Sequence, residues 1–186
     1  MSLEIFPYVC IDSQWSLSDS VMSAIWLQLE QEGKIEQLFY DGAIRDVTGW
    51  LHHLKQPRIF AAVIADMDKG VPVHMAWLTD VADGVAWAHH TAIGKYCRGV
   101  WEKYLEYWKT FNLRILLGMT PETNELAVKF LKKICKFTIV GVIPQICNMA
   151  YEDRRVGGVI SYYLMAKEQE QWAAVEKARV AVAAVR

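Results

Sequence analysis

Several things are scarce in this sequence, and each scarcity removes a class of function. Only four of the 186 residues are cysteine, Cys10, Cys97, Cys135 and Cys147. They stand far apart with no C-x-x-C pair, so neither a zinc site nor a disulfide framework is signalled. The expected state is four buried thiols in a reducing cytoplasm. Net charge is almost absent, since 20 Lys and Arg against 21 Asp and Glu leave −1. With no basic field there is no electrostatic reason to expect nucleic acid or an anionic membrane as partner. No apolar run approaches the roughly 20 residues that span a bilayer. The opening MSLEIFPYVC lacks the basic n-region and long apolar stretch of a signal peptide, so a cytoplasmic protein is expected. Internal repeats and low-complexity linkers are missing too.

What is present describes a globular chain. Hydrophobic residues make up 53 % and charged residues 22 %, with eight Trp and eight Tyr, ample aromatic surface for a core. The length suits one domain, 1–167, followed by an alanine-rich helical tail, 168–186. A strand is expected over 4–11. Ser16 and Asp19 have capping-box spacing ahead of a helical stripe, Val21, Met22, Ile25, Trp26 and Leu29, that stops at Gly33. A second amphipathic helix spans 45–55, ended by Pro57. From Arg58 the period shortens to that of strands. An apolar run turns at Asp68-Lys69-Gly70, its partner covers 71–79, and after Asp83-Gly84 a third antiparallel strand covers 85–93. Val100, Trp101, Tyr104, Leu105, Trp108 and Phe111 mark a helix, followed by a short strand over 113–119. Leu126, Ala127, Phe130, Leu131, Ile134 and Cys135 form the buried stripe of another helix, capped by Thr120 or Thr123. Strands over 137–142 and 159–164 close the pattern. The strand after the long helix is reached by a crossover and should lie parallel to the third. An α/β (α+β) domain results, with a mixed, mostly antiparallel central sheet and helices on both faces.

One segment is more specific: TPETNELAVKFLKKICKFTIVGVIPQICNMAYEDRRVGGVISYYL. Asn124, Ala127, Phe137, Gly141 and Pro144, with a closing strand from Gly158 to Leu164, give it a pattern that resembles the GCN5-related N-acetyltransferase (GNAT) superfamily. The likeness extends from the first helix to Leu164. It implies acetyl-CoA as cosubstrate, lying where the third and fourth strands splay, with its pyrophosphate on backbone N–H groups before the long helix. The stretch corresponding to that loop is GKYCRGVWEKYL. Arg98-Gly99 matches its start, but Trp101 and Lys103 stand where small residues belong. An indole there blocks a phosphate unless it turns into the core. Lys95, Arg98 and Lys103 could bind phosphate through side chains, or be solvated charges at a helix start. Gly99, Asn124 and the backbone N–H groups near Ala92 and Ile93 complete the cofactor-binding set that the resemblance implies.

The chemistry would also need a base for the amine and an acid for the departing thiolate. His89 and His90 lie on the corresponding strand and point to opposite faces, so at most one faces the cleft as a base; a structural role is the alternative. The family's acidic Tyr position is held by Leu131 or Lys132, which leaves Tyr162 and Tyr163 as substitutes or as packing residues. His52 and His53, adjacent on a helix, do not share a face. His74, among apolar neighbours, is expected to face solvent or a neighbour that satisfies it. No metal is expected. The helices before Arg58, with Trp26, Phe39, Tyr40 and Trp50, would wall the acceptor site. The expected partners are an acyl-CoA and an amine, without nucleic acid or membrane and with a homodimer left open. Two functions fit. One is an acetyl-CoA-dependent N-acetyltransferase working by direct attack of the amine. The other is a catalytically inactive binding or assembly protein of the same fold, as in some phage-encoded proteins, presenting an exposed Trp-rich surface.

Overall fold

The computed structural model describes residues 2–165 and 170, so the expected tail lies outside the described residues apart from Glu170. The chain opens with β1 (Leu3–Tyr8) and a small hairpin of β2 (Cys10–Ile11) and β3 (Gln14–Trp15), which splits the single strand expected over 4–11. The interruption falls at Val9, and Asp12 and Ser13, with φ of 48° and 66°, turn the hairpin. The N-cap of α1 (Asp19–Gln31) is Ser18, whose hydroxyl accepts the Val21 N–H. Ser16, the expected cap, instead donates to the Pro7 carbonyl and accepts the Val9 N–H. A single-turn α2 (Ile35–Leu38), which lacks a readable period, precedes α3 (Val47–Leu54), capped by Asp46.

The expected meander follows as β4 (Phe60–Asp66), β5 (Val71–Ala82) and β6 (Val85–Ala92). Asp83 and Gly84, at φ 50° and 77°, supply the two positive torsions of a tight hairpin turn. Then come α4 (Val100–Trp108), β7 (Ile115–Pro121), α5 (Glu125–Lys133), β8 (Thr138–Met149) and β9 (Arg154–Leu164). The cap of α5 is Asn124, not Thr120 or Thr123; its Oδ1 accepts the Ala127 N–H at 3.1 Å. Leu126 is 80 % exposed and Ile134 42 % exposed, so the stripe of this helix is narrower than its spacing suggests.

Seven strands form one sheet in the order β1-β4-β5-β6-β7-β9-β8. Every neighbouring pair is antiparallel except β6 and β7, which the α4 crossover makes parallel. The last hairpin is longer than expected. β8 runs through Pro144 because a bulge carries the register from Ile143↔Gly158 to Cys147↔Val156, with Gln145 at φ 54°. As β8 is an edge strand, a proline there is tolerated.

Strand alternation divides the core into two layers. Ala61, Val63, Met75 and Trp77 pack under α1 and α3 with Met22, Trp26, Leu29 and Trp50. Ala62, Ile64, Ala76, Leu78, Ala86 and Leu116 pack under α4 and α5 with Trp101, Tyr104, Trp108 and Leu131. Trp26, Trp50, Trp77, Trp101 and Trp108 are therefore buried, and Trp15 and Trp87 half-buried. Among the described residues the expected Trp-rich surface does not exist. The expectation of four buried thiols is corrected as well, since Cys10 is exposed and only Cys135 and Cys147 are buried.

Candidate functional site

Although β6 and β7 are neighbours, only three residue pairs join them: Val85↔Ile115, Ala86↔Leu116 and Trp87↔Leu117. Both strands continue beyond this short ladder, β6 to Ala92 and β7 to Pro121. The register decides which backbone groups face the resulting opening. Ile93 N–H donates to the Val73 carbonyl of the preceding strand's side at 2.9 Å, so odd-numbered residues of β6 spend their amides on β5. The amides of His90 and Ala92 then point toward β7, past the last rung. Ile93 itself offers no free N–H, which removes it from the expected donor set, and its side chain is buried under α1 and α3.

The chain leaves β6 through Gly94, at φ 74°. Two residues at the end of α1 grip this turn. Both carboxylate oxygens of Glu32 accept the Gly94 N–H, at 2.9 and 3.0 Å. Lys34 Nζ donates to the Ala92 and Gly94 carbonyls at 2.7 and 3.0 Å and contacts Glu32 at 2.6 Å. Lys95 and Arg98 are exposed, and Gly99, at φ 89°, is the N-cap of α4 without a side-chain cap bond. A left-handed cap suits glycine, and the first amides of this nine-residue helix have no intrahelical acceptor. Glu102 and Lys103 lie exposed in the first turns. The Trp101 indole turns away from that end. It is 3 % exposed and packs on His90, Trp108, Phe137 and Tyr163 with ring centroids 5.6 to 6.3 Å apart. The obstruction expected from this residue is absent.

The two histidines of β6 separate as alternation requires. His89 faces the α1 and α3 side, stacked on Trp77 at 5.3 Å, with Nε2 3.1 Å from the Thr79 hydroxyl. His90 faces α4 and α5, among Phe130 at 5.0 Å, His74 at 5.7 Å and Trp101 at 6.0 Å. Dense surroundings push both imidazoles down to about 4, by burial first; His53 adds to the effect on His89, and His89 to that on His90. His74 is 2 % exposed, contrary to expectation, and its Nδ1 has no partner among the described residues. Burial holds it well below the usual histidine range. All three are neutral at pH 7.

Tyr163 packs on Trp101 and Phe137, within the α4 and α5 layer. Tyr162, its neighbour in the strand, points to the opposite face, the one shared with His89. Asn124 is occupied as the α5 cap. Of the expected acceptor wall, Trp26, Phe39 and Trp50 are core residues, Trp26 stacked on Phe39 and tilted against Trp50, while Tyr40 is half-buried. Tyr40 lines a cavity of about 610 Å³ with Glu36, Pro121, Asn124, Met149 and Tyr151, between α2, the end of β7 and the last hairpin. Burial, with Cys147 beside it, raises the Tyr40 phenol. Sequence reading missed Glu36, Met149 and Tyr151 because they converge only through the short α2 and the lengthened β8. Among the described residues no group of three His, Cys, Asp or Glu is arranged to hold a metal, and no helix is long and apolar enough to cross a membrane.

No family model and no curated protein sequence matches this chain. Solved structures do. The spermidine N-acetyltransferase from Vibrio cholerae in complex with CoA and spermine superposes with a TM-score of 0.66 at 13 % identity, over 90 % of this chain and 98 % of that one. An acetyl transferase of Salmonella typhimurium that modifies the N-terminal serine of a 50S ribosomal subunit protein gives 0.65 at 10 % identity, over 87 % and 94 %. The ribosomal-protein-S5-alanine acetyltransferase of Vibrio fischeri gives 0.62 at 13 %, over 81 % and 91 %. Identities this low speak for architecture and leave chemistry to the site. With its parallel β6–β7 junction and flanking helices, the chain has the GCN5-related N-acetyltransferase fold.

Proposed function

We propose that this chain is an acetyl-CoA-dependent N-acetyltransferase that transfers the acetyl group directly to an amine. The observation that carries the reading is the short ladder between β6 and β7. Past Trp87 and Leu117 no further rung joins the two strands; an extended acyl-pantetheine arm would lie there, with the His90 and Ala92 amides facing it to receive a carbonyl oxygen. The uncapped α4 N-terminus, with Gly99, Lys95 and Arg98 around it and Trp101 turned inward, is free to meet a pyrophosphate. The cosubstrate would supply an acetyl group already activated as a thioester.

His89 and Tyr162 share the face that an amine would approach, and both are assigned to the reaction. A neutral imidazole with a pKa of about 4 accepts a hydrogen bond from the amine and passes its proton on without retaining it. The amine nitrogen bonds to the acetyl carbon as the carbon–sulfur bond breaks. The amine proton leaves through His89 to solvent, the departing thiolate takes a proton from the Tyr162 phenol, and solvent returns a proton to that phenol, so both groups end as they began. His90 and Tyr163 are held in the opposite layer, against Trp101. The cavity at Tyr40 and Glu36 is assigned to the acceptor. Binding both reactants side by side would supply much of the rate.

A second reading, a binding protein of this fold without activity, is favoured by one observation. Phe130 touches both His90 and Tyr96 with ring centroids 5.0 Å apart, filling the α5 side of the opening. Thermal unfolding with acetyl-CoA separates the two. The acetyltransferase reading expects millimolar acetyl-CoA to raise Tm by roughly 2 °C or more. An unchanged Tm for this chain, together with a rise for Phe130→Ala, would favour the binding protein.

A further inference from the structure

We infer that Glu32 and Lys34 are positioning residues for the cofactor loop, setting the backbone between β6 and α4 so that it can receive a phosphate. The inference rests on the acyl-CoA reading above. Three consecutive residues, Ala92 to Gly94, carry the chain from the donor strand toward α4, and three of their backbone groups are gripped by these two side chains. Gln28 Nε2 donates to Glu32 Oε1 at 3.0 Å and fixes the carboxylate in turn. Such a turn, with a glycine at φ 74°, has little stiffness of its own.

Peptide planarity converts the grip into direction. The C=O and N–H of a trans peptide point opposite ways. Drawing the Gly94 carbonyl to Lys34 therefore sends the Lys95 N–H, on the loop that leads to α4, away from Lys34. Drawing the Gly94 N–H to Glu32 sends the Ile93 carbonyl away from Glu32. Lys34 also covers two carbonyl oxygens that would repel an anion at the rim. The pair is oriented chemistry, not only an ion pair: one partner must accept from an amide and the other must donate to carbonyls. Glu32 is held below the usual carboxylate range despite its burial, by the Lys34 ammonium, Gln28 and the Gly94 N–H, so the grip persists through neutral pH.

That asymmetry gives the test. CoA binding is measured by titration calorimetry on the whole chain, for the wild type, Glu32→Met, Lys34→Met and the exchanged pair Glu32→Lys with Lys34→Glu, each with its Tm. The expected result is a CoA Kd raised about tenfold in both single variants, and one that stays raised in the exchanged pair. A lysine at position 32 cannot accept the Gly94 N–H, and a glutamate at position 34 cannot donate to the carbonyls. An exchanged pair that recovers wild-type affinity, or single variants that bind as tightly as wild type, overturns the inference and leaves the acyl-CoA reading standing. If Lys34→Met does not fold, Lys34→Arg keeps the donors and should bind CoA within about threefold of wild type; a tenfold loss there also overturns it. Failure of the wild type to bind CoA overturns both.

Discussion

Lowering the pH from 7 to 5 should destabilise this fold well before its carboxylates titrate. His89 and His90 have folded pKa values of about 4, against roughly 6.5 in an unfolded chain. Between those values the unfolded chain binds more protons, so stability falls as pH falls through this window; above it nothing changes, and below about 4 these groups add no further loss. At pH 5 each imidazole lies about 1.5 pH units below its unfolded value, worth about 2 kcal/mol. The pair then gives about 4 kcal/mol as an upper figure, because both rings keep some exposed surface. His74, buried against His90, works in the same direction. In a domain whose whole stability is of order 5–15 kcal/mol this is a large share. Circular dichroism melts at pH 7, 6 and 5 should show Tm falling by roughly 10 °C. His90→Phe places another ring among Phe130, His74 and Trp101 and should remove about half of the slope between pH 7 and 5. A Tm flat across that range, or a His90→Phe variant with the wild-type slope, would refute the assignment of these imidazoles as buried and neutral.

Other outcomes follow from packing. Trp101→Ala empties a site that is 3 % exposed among His90, Trp108, Phe137 and Tyr163; it should cost about 3–5 kcal/mol in urea unfolding, whereas an indole lying over the loop would cost almost nothing. Asn124→Ala deletes the α5 cap and should cost about 1 kcal/mol, while Asn124→Asp, another good cap, should be near neutral in the same assay.

Much of the architecture is readable from the sequence, because the meander and its turns are local. Asp83-Gly84 can hardly be anything but a tight turn, and the α4 stripe from Val100 to Trp108 has one clear period. Legibility fails where long-range pairing overrides local chemistry. Pro144 reads as a strand end, yet an edge strand with a bulge carries it. The Thr120 and Thr123 hydroxyls read as caps, yet Asn124 is the residue whose oxygen reaches the third amide. For the site, alternation correctly separates His89 from His90, but it cannot say which layer each joins. The sequence pattern also leaves the direction of Trp101 open, since a loop residue and a core residue look alike until Phe137 and Tyr163 are placed beside it. Glu32 and Lys34 carry no signal, being ordinary charges at the end of a helix 60 residues from the glycine they hold.

The sheet that looks continuous in strand order is mechanically two plates. Four strands, β1, β4, β5 and β6, and three strands, β7, β9 and β8, meet through three rungs at Val85, Ala86 and Trp87. Within each plate the ladders are long; between them the bond is a short weld at one end, leaving the other end able to spread. Anything seated there acts as mortar between plates, adding cohesion that the chain alone lacks. Amides along that seam should then be among those whose hydrogen exchange slows most when a ligand fills it.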